Sequence, residues 1–258
     1  MKRFLCLILI FGFALAIEAS PEALALFEAK SYVNDSGDTL LYRILSPQDP
    51  RLGKTYPLVL FLHGAGERGS DNGRQLIWGA GAFINGKNLK KYPCYVLAPQ
   101  CPEGKRWLEV HWGLDAHEMP PQSSETLSLV IELLETLRTD AAVDPRRFYV
   151  TGLSMGGYGT WDIISRMPET FAAAVPICGG GDEKQAAKLV SMPIWVFHGD
   201  EDTSVPVARS RNMVNAIRDA GGKKIRYTEY PGVGHGSWKP AYADPKLIKW
   251  MFRQKKSK

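Results

Sequence analysis

The residues with the clearest chemical potential lie in the run Gly152-Leu153-Ser154-Met155-Gly156, which fits the pattern G-x-S-x-G. The sequence predicts a strand before this run, over residues 147–151, and a helix after it, over residues 158–166. A serine on a tight turn between a strand and a helix projects its hydroxyl above the sheet, where the helix N-terminus stabilises developing negative charge. We therefore expect Ser154 to be a nucleophile. The alternative is an ordinary glycine-rich turn.

A serine hydroxyl is a weak nucleophile at neutral pH, so it needs a neighbouring base. Of the five histidines, His235 lies between two glycines in a loop just after the predicted strand 225–230. This position leaves His235 able to reach a site, and we expect it to be the base. His63 and His198 each end an apolar strand, and we expect them to orient loops by hydrogen bonding.

The base in turn needs a carboxylate that fixes its tautomer. The run His198-Gly199-Asp200-Glu201-Asp202 follows a predicted strand and offers three candidates, Asp200, Glu201 and Asp202. Each of them gives the chain order serine, acid, histidine, which is the order of α/β-hydrolases. The residues by themselves leave the choice among the three open.

Strands and helices must alternate to bring these loops together. Apolar runs predict strands over 39–45, 58–62, 95–98, 148–151, 172–177, 194–197 and 225–230, and helical patterns occupy 124–138, 155–167, 207–220 and 245–253. Such alternation is typical of an α/β protein with a mostly parallel sheet covered on both faces. No internal repeat or linker divides the chain, so we expect one domain over residues 20–258.

With these motifs the sequence resembles the α/β-hydrolase superfamily, near the phospholipase/carboxylesterase and dienelactone-hydrolase-like esterases. It is most similar to small secreted proteins often described as predicted peptidases or prolyl-oligopeptidase-like. The matching motifs are Leu62-His63-Gly64-Ala65-Gly66-Glu67-Arg68-Gly69, Gly152 to Gly157, His198 to Asp202, Val205-Pro206 and Gly234-His235. They extend over nearly all of the chain that follows the N-terminal segment.

The resemblance implies roles for particular residues. It makes Asp202 the acid, with Asp200 and Glu201 as alternatives. It places the oxyanion donors on the backbone N–H groups of Met155 and Ala65, with Gly66 as the alternative to Ala65. The implied reaction is a two-step acyl transfer that needs no metal or organic cofactor.

Ester hydrolysis is the favoured activity, because an alkoxide is a better leaving group than an amide nitrogen. A small serine peptidase of prolyl-oligopeptidase type is the second reading, although the chain has no room for the large propeller domain of those enzymes. A non-catalytic binding protein on the same scaffold is the third. The short segment 179–192 and the absence of a lid-sized insertion favour short or aromatic acyl groups.

Three tryptophans are candidates for substrate contact. Trp107 and Trp112 lie in the long irregular segment 101–123, and Trp238 follows His235 by three residues. Loops at the carboxyl edge of a parallel sheet converge on the site, and flat aromatic faces suit sugar rings and phenolic acids. We expect an aromatic cleft for a carbohydrate-linked ester, such as an acetylated or feruloylated xylan. The alternative is that these rings pin the segment to the domain.

The same segment holds Glu109, His111, Asp115, His117 and Glu118, whose side-chain types can ligate metals. Their spacing matches no compact ligand pattern, so we expect no metal site. The formal charge of +5 lies largely at the two chain ends, which leaves no internal basic stripe for a nucleic acid.

The N-terminus predicts export. Met1-Lys2-Arg3 precedes an apolar run over residues 4–17 that is too short to span a bilayer comfortably. We expect a signal peptide over residues 1–19, with a second cleavage site after Ala16, and a secreted or periplasmic enzyme with no stable membrane insertion. An uncleaved anchor is the alternative. For Cys94, Cys101 and Cys178 we expect buried free thiols, with a Cys101–Cys178 disulfide as the alternative.

Overall fold

A computed structural model describes residues 18–140 and 142–257 of the chain. Residues 1–17 of the predicted signal peptide lie outside the described residues. Within the described ranges, eight strands form one sheet in the order β1-β2-β4-β3-β5-β6-β7-β8. The strands are β1 Phe27–Val33, β2 Thr39–Leu45, β3 Tyr56–Leu62, β4 Tyr95–Pro99, β5 Val143–Leu153, β6 Ala173–Ile177, β7 Ile194–Gly199 and β8 Ile225–Tyr230.

Helices alternate with these strands as the sequence predicts. They are α1 Pro21–Leu26, α2 Gly81–Ile84, α3 Gly86–Lys91, α4 Glu125–Arg138, α5 Met155–Arg166, α6 Ala208–Asp219, α7 Trp238–Ala243 and α8 Pro245–Met251. The four predicted helices correspond to α4, α5, α6 and α8. No helix in the described ranges is both long and apolar enough to cross a bilayer.

The sheet is parallel from β4 through β8, and only β1 and β2 pair antiparallel with their neighbours. The central strand β3 is buried along its whole length. Because side chains alternate between the faces of a strand, Leu58, Leu60 and Leu62 pack on the side of α4, α5 and α6. Val59 and Phe61 pack on the other side, with α1, α2 and α8. The predicted α/β architecture is confirmed.

The first strand was not predicted. Only Phe27 of β1 is buried, so the strand lacks the apolar run that identifies the others. It is held at the sheet edge by antiparallel pairing with β2, from Phe27 opposite Leu45 to Val33 opposite Thr39. The strand is formed by backbone hydrogen bonds to β2. Any residue except proline can make them, so the side chains of β1 do not reveal the strand.

The three cysteines within the described ranges are buried and unpaired, as expected. Cys94, Cys101 and Cys178 are free thiols. Burial raises the pKa of the Cys178 thiol to about 12, so it stays protonated near neutral pH.

Candidate active site

Ser154 lies at the corner between β5 and α5, which we call the elbow (residues 152–156), in a strained backbone conformation. Its φ is 53° and its ψ is −118°, a combination that costs a non-glycine residue about 1–3 kcal/mol. The strain persists because the surrounding backbone is packed too closely to relax. A Cβ on Gly156 would lie 1.9 Å from the carbonyl oxygen of Leu62, and one on Gly152 would lie 2.3 Å from that of Gly156. A side chain at either glycine of the motif would clash with the backbone of β3 or α5, so both positions require glycine.

His235 lies in the loop between β8 and α7, and its Nε2 is 2.9 Å from Ser154 Oγ. The loop reaches the elbow because its backbone runs against the end of β7. A Cβ on Gly199 would lie 2.0 Å from the carbonyl oxygen of Val233. This close approach brings a histidine 81 residues away in sequence to the serine.

Of the three acidic candidates, Asp202 is the one that contacts His235. Its Oδ2 accepts a hydrogen bond from His235 Nδ1 at 2.7 Å. Asp200 is exposed and accepts from the Gly232 backbone N–H at 2.7 Å, and Glu201 is exposed as well. Ser154, His235 and Asp202 thus form a continuous hydrogen-bonded chain.

Asp202 is almost completely buried, yet it is bound on both oxygens. Its Oδ1 accepts from the backbone N–H groups of Ser204 and Val205, each at 2.9 Å. Burial by itself would raise the pKa of Asp202, but hydrogen bonds from His198, His235 and Val205 outweigh it and hold the pKa well below its usual value. The carboxylate therefore stays ionised at any pH where the protein would work.

Met155 and Ala65 each begin a helical turn next to Ser154. Met155 is the first residue of α5, and Ala65 is the first residue of a 3-10 turn, Ala65–Glu67, that follows β3. First-turn N–H groups have no partner within their own helix, so both can bind an anion. A Cβ on Gly64 would lie 2.8 Å from a side-chain carbon of Leu153, so the 3-10 turn abuts the elbow.

Trp107 differs from its expected role. It is fully buried, and its indole N–H donates to the carbonyl oxygen of His63 at 2.9 Å. Its ring packs edge-on against the His63 imidazole at 5.1 Å between centroids. With no ring face open to a ligand, Trp107 takes the packing role that was the alternative reading.

Trp112 and Trp238 are half-buried and lie near the candidate triad. Trp238 meets the His235 ring edge-on, at 5.2 Å between centroids and an interplanar angle of 88°. Trp112 packs against Tyr158, one helical turn after Ser154, and Val205, three residues after Asp202. The guanidinium of Arg106 lies 4.6 Å from the centre of the Trp112 ring.

Trp78 is a fourth tryptophan near the candidate site, and nothing in its sequence surroundings distinguishes a core position from a surface one. The structure places its ring 6.3 Å from that of Trp238, which in turn meets the His235 ring. No sequence signal marks this contact, because β5, β6 and β7 separate β3 from β8 in the sheet, and only the paths of the loops after these two strands bring the two rings together.

The metal-ligand types of segment 101–123 do not gather into one cluster. His117 instead binds the guanidinium of Arg209, a fully buried arginine on α6. In the part of the chain that the structure describes, the set of three ligand-type side chains whose atoms lie within 4.8 Å of one another is Cys178, Asp202 and His235. Two of these are the residues already joined by the hydrogen bond above.

A family model described as the dienelactone hydrolase family matches residues 116–245, half of this chain. The matched stretch contains Ser154, Asp202 and His235.

Three similar proteins carry esterase or depolymerase descriptions. The solved structure of a thermostable esterase is 41% identical with a TM-score of 0.84, over 91% of this chain and 64% of that one. Poly(3-hydroxyalkanoate) depolymerase C of Paucimonas lemoignei is 25% identical over 63% of this chain and 36% of its own length. A bifunctional acetylxylan esterase/xylanase, XynS20E of Neocallimastix patriciarum, is 26% identical over 38% and 15%.

The chain spans less than two thirds of the length of each of these relatives. Solved structures of several peptidases, of a puromycin hydrolase and of a ferulic acid esterase, at 14–19% identity, share the fold alone. With the strand order and the esterase match, the fold is that of the α/β-hydrolases.

Proposed function

The chain belongs to the dienelactone hydrolase family, and from that premise we propose that it is a serine carboxylic ester hydrolase that works through an acyl-enzyme. The observation that carries the proposal is the hydrogen-bonded chain from Ser154 Oγ through His235 to Asp202 Oδ2. A nucleophile, a base within hydrogen-bond reach and a group that orients the base are the parts of covalent acyl transfer.

In the first step Ser154 Oγ attacks the acyl carbon while His235 Nε2 takes the hydroxyl proton. The negative oxygen of the tetrahedral intermediate is bound by the N–H groups of Met155 and Ala65, and one such donor contributes about 3 kcal/mol to the transition state. When the intermediate collapses, the bond from the acyl carbon to the alkoxide oxygen breaks, and His235 gives its proton to the leaving alcohol. Water then repeats the sequence and releases the carboxylic acid.

Asp202 gives His235 the tautomer that this cycle requires. An ionised Asp202 only accepts hydrogen bonds, so the 2.7 Å contact places the proton of His235 on Nδ1. Nε2 then has a free lone pair directed at Ser154, 2.9 Å away. The low pKa of Asp202 keeps this arrangement across the neutral range.

The substrate class follows from where the leaving alcohol must bind. His235 protonates the alcohol oxygen, so the alcohol lies beside His235 and the Trp238 ring that meets it edge-on. Trp112 forms a second aromatic wall next to Tyr158. Aromatic walls suit sugar and phenolic rings, and the similarity to an acetylxylan esterase supports the same class. We propose short-chain or aromatic acyl esters, including carbohydrate-linked acetyl or feruloyl esters.

The test pairs chemical labelling with substrate panels on the purified protein. A fluorophosphonate should label Ser154 as mapped by mass spectrometry, and Ser154→Ala should lose both the label and the hydrolysis of p-nitrophenyl acetate while keeping its Tm. Acetyl, butyryl and feruloyl esters are compared in parallel with proline p-nitroanilides. Faster turnover of the anilides would favour the peptidase. An unlabelled, inactive wild-type protein would favour a binding protein.

Export through the N-terminal segment is part of the proposal. Cleavage after Ala19 would leave Ser20 as the first residue, and its hydroxyl accepts from the Ala23 N–H at 3.1 Å to cap α1. The intact mass of protein recovered outside the cytoplasm tests this. A mass that retains residues 1–19 would point to the uncleaved anchor.

A further inference from the structure

His198, the next-to-last residue of β7, is completely buried and touches Asp202. Its Nε2 is 3.2 Å from Asp202 Oδ2, the same oxygen that accepts from His235. Nε2 is also 3.1 Å from the carbonyl oxygen of Val205. On the other side of the ring, Nδ1 is 2.7 Å from Ser210 Oγ.

The proton on Nε2 of His198 follows from its neighbours. Both atoms within reach of Nε2 are oxygens that only accept: an ionised carboxylate and a backbone carbonyl. Nε2 must therefore donate. Nδ1 then accepts the hydroxyl proton of Ser210 over the shorter contact of Oγ, at 2.7 Å, while the carbonyl oxygen of Gly179 lies 3.2 Å from the same Oγ. Ser210 of α6 thus contacts the ring on the side opposite Asp202. The ring has one orientation that satisfies both nitrogens.

We propose that His198 is a positioning residue for the acid of the triad, and that Ser210, His198, Asp202, His235 and Ser154 form one chain of five hydrogen-bonded side chains. The inference rests on the proposed function, because it assigns a role to His198 only if Asp202 orients a catalytic histidine.

The two oxygens of Asp202 have different supports. Two backbone N–H groups hold Oδ1, while Oδ2 has two imidazole donors, of which His198 belongs to the rigid sheet and His235 to a glycine-flanked loop. Without His198, the oxygen that orients His235 would be held by His235 alone. A shift of about 1 Å at such a position can cost about 100-fold in rate.

Few other charged groups face His198. Glu229 lies opposite it on the paired strand β8, and Arg211 of α6 already binds both oxygens of Glu229, at 2.6 and 2.8 Å. Of these two carboxylates, that of Asp202 is therefore the one that accepts a hydrogen bond from the His198 ring.

The experiment uses two substitutions that separate the two ring nitrogens. In His198→Gln the side-chain amide nitrogen can reach the position of Nε2 and still donate to Asp202. In His198→Asn the amide falls at the position of Nδ1, so it faces Ser210 and leaves Oδ2 with one donor. Both variants replace the ring by an amide of similar polarity. Ser210→Ala tests the outer end of the chain.

We expect His198→Asn to lower kcat on p-nitrophenyl acetate by about 100-fold, with KM within about twofold, and His198→Gln to retain most of the activity. A carboxylate with one donor fewer attracts the proton of its partner imidazole more strongly. The acid limb of the kcat/KM profile of His198→Asn should therefore move to higher pH by about half a unit, a change of about 0.7 kcal/mol. Ser210→Ala should lie between His198→Gln and the wild type.

Two outcomes would overturn the inference while leaving the esterase intact. One is a His198→Asn variant with wild-type kcat and an unmoved acid limb. The other is equal loss in both variants with a lowered Tm and a smaller fraction labelled by fluorophosphonate, which would make His198 a packing residue only. A wild-type enzyme that is neither labelled nor active would overturn the proposed function itself, and this role with it.

Discussion

The elbow at Ser154 and segment 101–123 both border the candidate site, but they are held in place by different kinds of contact. At the elbow, backbone meets backbone: Ser154 N–H donates to the carbonyl oxygen of Ile177 at 3.0 Å, and Gly156 leaves no room for a methyl group. Segment 101–123 has no such backbone pairing with the sheet over its aromatic part. Long side chains reach out to its carbonyl oxygens instead.

Arginines provide most of these tethers. Arg166 on α5 donates to the carbonyl oxygens of three successive residues, Pro120, Pro121 and Gln122, at 2.8–3.2 Å. Arg209 reaches Leu114 and His117, and Tyr158 OH donates to the carbonyl oxygen of Trp112 at 2.8 Å. The comparison teaches that the atoms proposed to react are fixed by backbone contacts, whereas the proposed substrate wall in segment 101–123 is held by side chains and can change without moving those atoms.

The largest effect is expected at Asp202, which lies in the loop after β7 and is also held by backbone N–H groups. Asp202→Asn should lower kcat by about 10³ to 10⁴-fold, because an amide can donate to His235 and so favours the wrong tautomer. Asp200→Asn, its exposed neighbour, should stay within about twofold of wild type, since an amide oxygen can still accept from Gly232. Steady-state kinetics on p-nitrophenyl acetate measure both. An inactive Asp200→Asn with an active Asp202→Asn would exchange their roles.

The second effect breaks the backbone packing itself. Gly156→Ala puts a methyl group 1.9 Å from the Leu62 carbonyl oxygen, and neither backbone can move without displacing β3 or α5. We expect a loss of about 3 kcal/mol in stability, which for a chain of this size lowers Tm by about 10 °C. Differential scanning calorimetry measures the change.

Gly81→Ala is the matched control for that substitution. A Cβ on Gly81 meets nothing within 4 Å, and α2 begins there. Its Tm should equal that of the wild type or exceed it slightly. Equal stability of the two variants would show that the elbow is less rigid than the packing indicates.

The same contrast explains what the sequence could predict. The elbow, the parallel strands and the helices can be predicted because each has a local signal in the sequence: glycines at fixed spacing, apolar runs and a helical period. The burial of Trp107 depends on a bond to His63, 44 residues away, inside a segment without periodicity. The contact of His198 with Asp202 depends on how the chain turns after β7, and a spacing of four residues implies no contact outside a helix.

The third effect concerns the proposed substrate wall in segment 101–123. Trp112→Ala should lower kcat/KM on large carbohydrate or aryl esters by about fivefold, since stacking of this size contributes about 1 kcal/mol, with little change on p-nitrophenyl acetate and the same Tm. Trp107→Ala should instead lose about 3–5 kcal/mol of stability, as large-to-small core substitutions do. Equal losses on both substrates with a lowered Tm for Trp112→Ala would leave that ring only a packing role.

The smallest effect tests the tether at the middle of segment 101–123. Burial, then the nearby Arg209 charge, lowers the pKa of His117 from its ordinary value of 6.5 to about 4. Because the folded value is the lower one, unfolding takes up a proton below pH 6.5. The contribution of neutral His117 to the free energy of unfolding is complete above pH 6.5 and is lost as pH falls towards 4. At pH 5 a fully buried group with this shift would have lost about 2 kcal/mol, and the partial exposure of His117 reduces that to about 1 kcal/mol.

His117→Asn removes this titration, and its amide oxygen can take the position of Nδ1 and still accept from Arg209. The fall in Tm between pH 7 and pH 5 should therefore be smaller in His117→Asn than in the wild type by about 2–4 °C. His63, whose pKa burial also lowers to about 4, remains in both proteins and supplies the common part of the decline. Equal slopes in the two proteins would mean that His117 is free to protonate in the folded state. Segment 101–123 would then be held at this point by Arg209 and the Leu114 carbonyl oxygen alone.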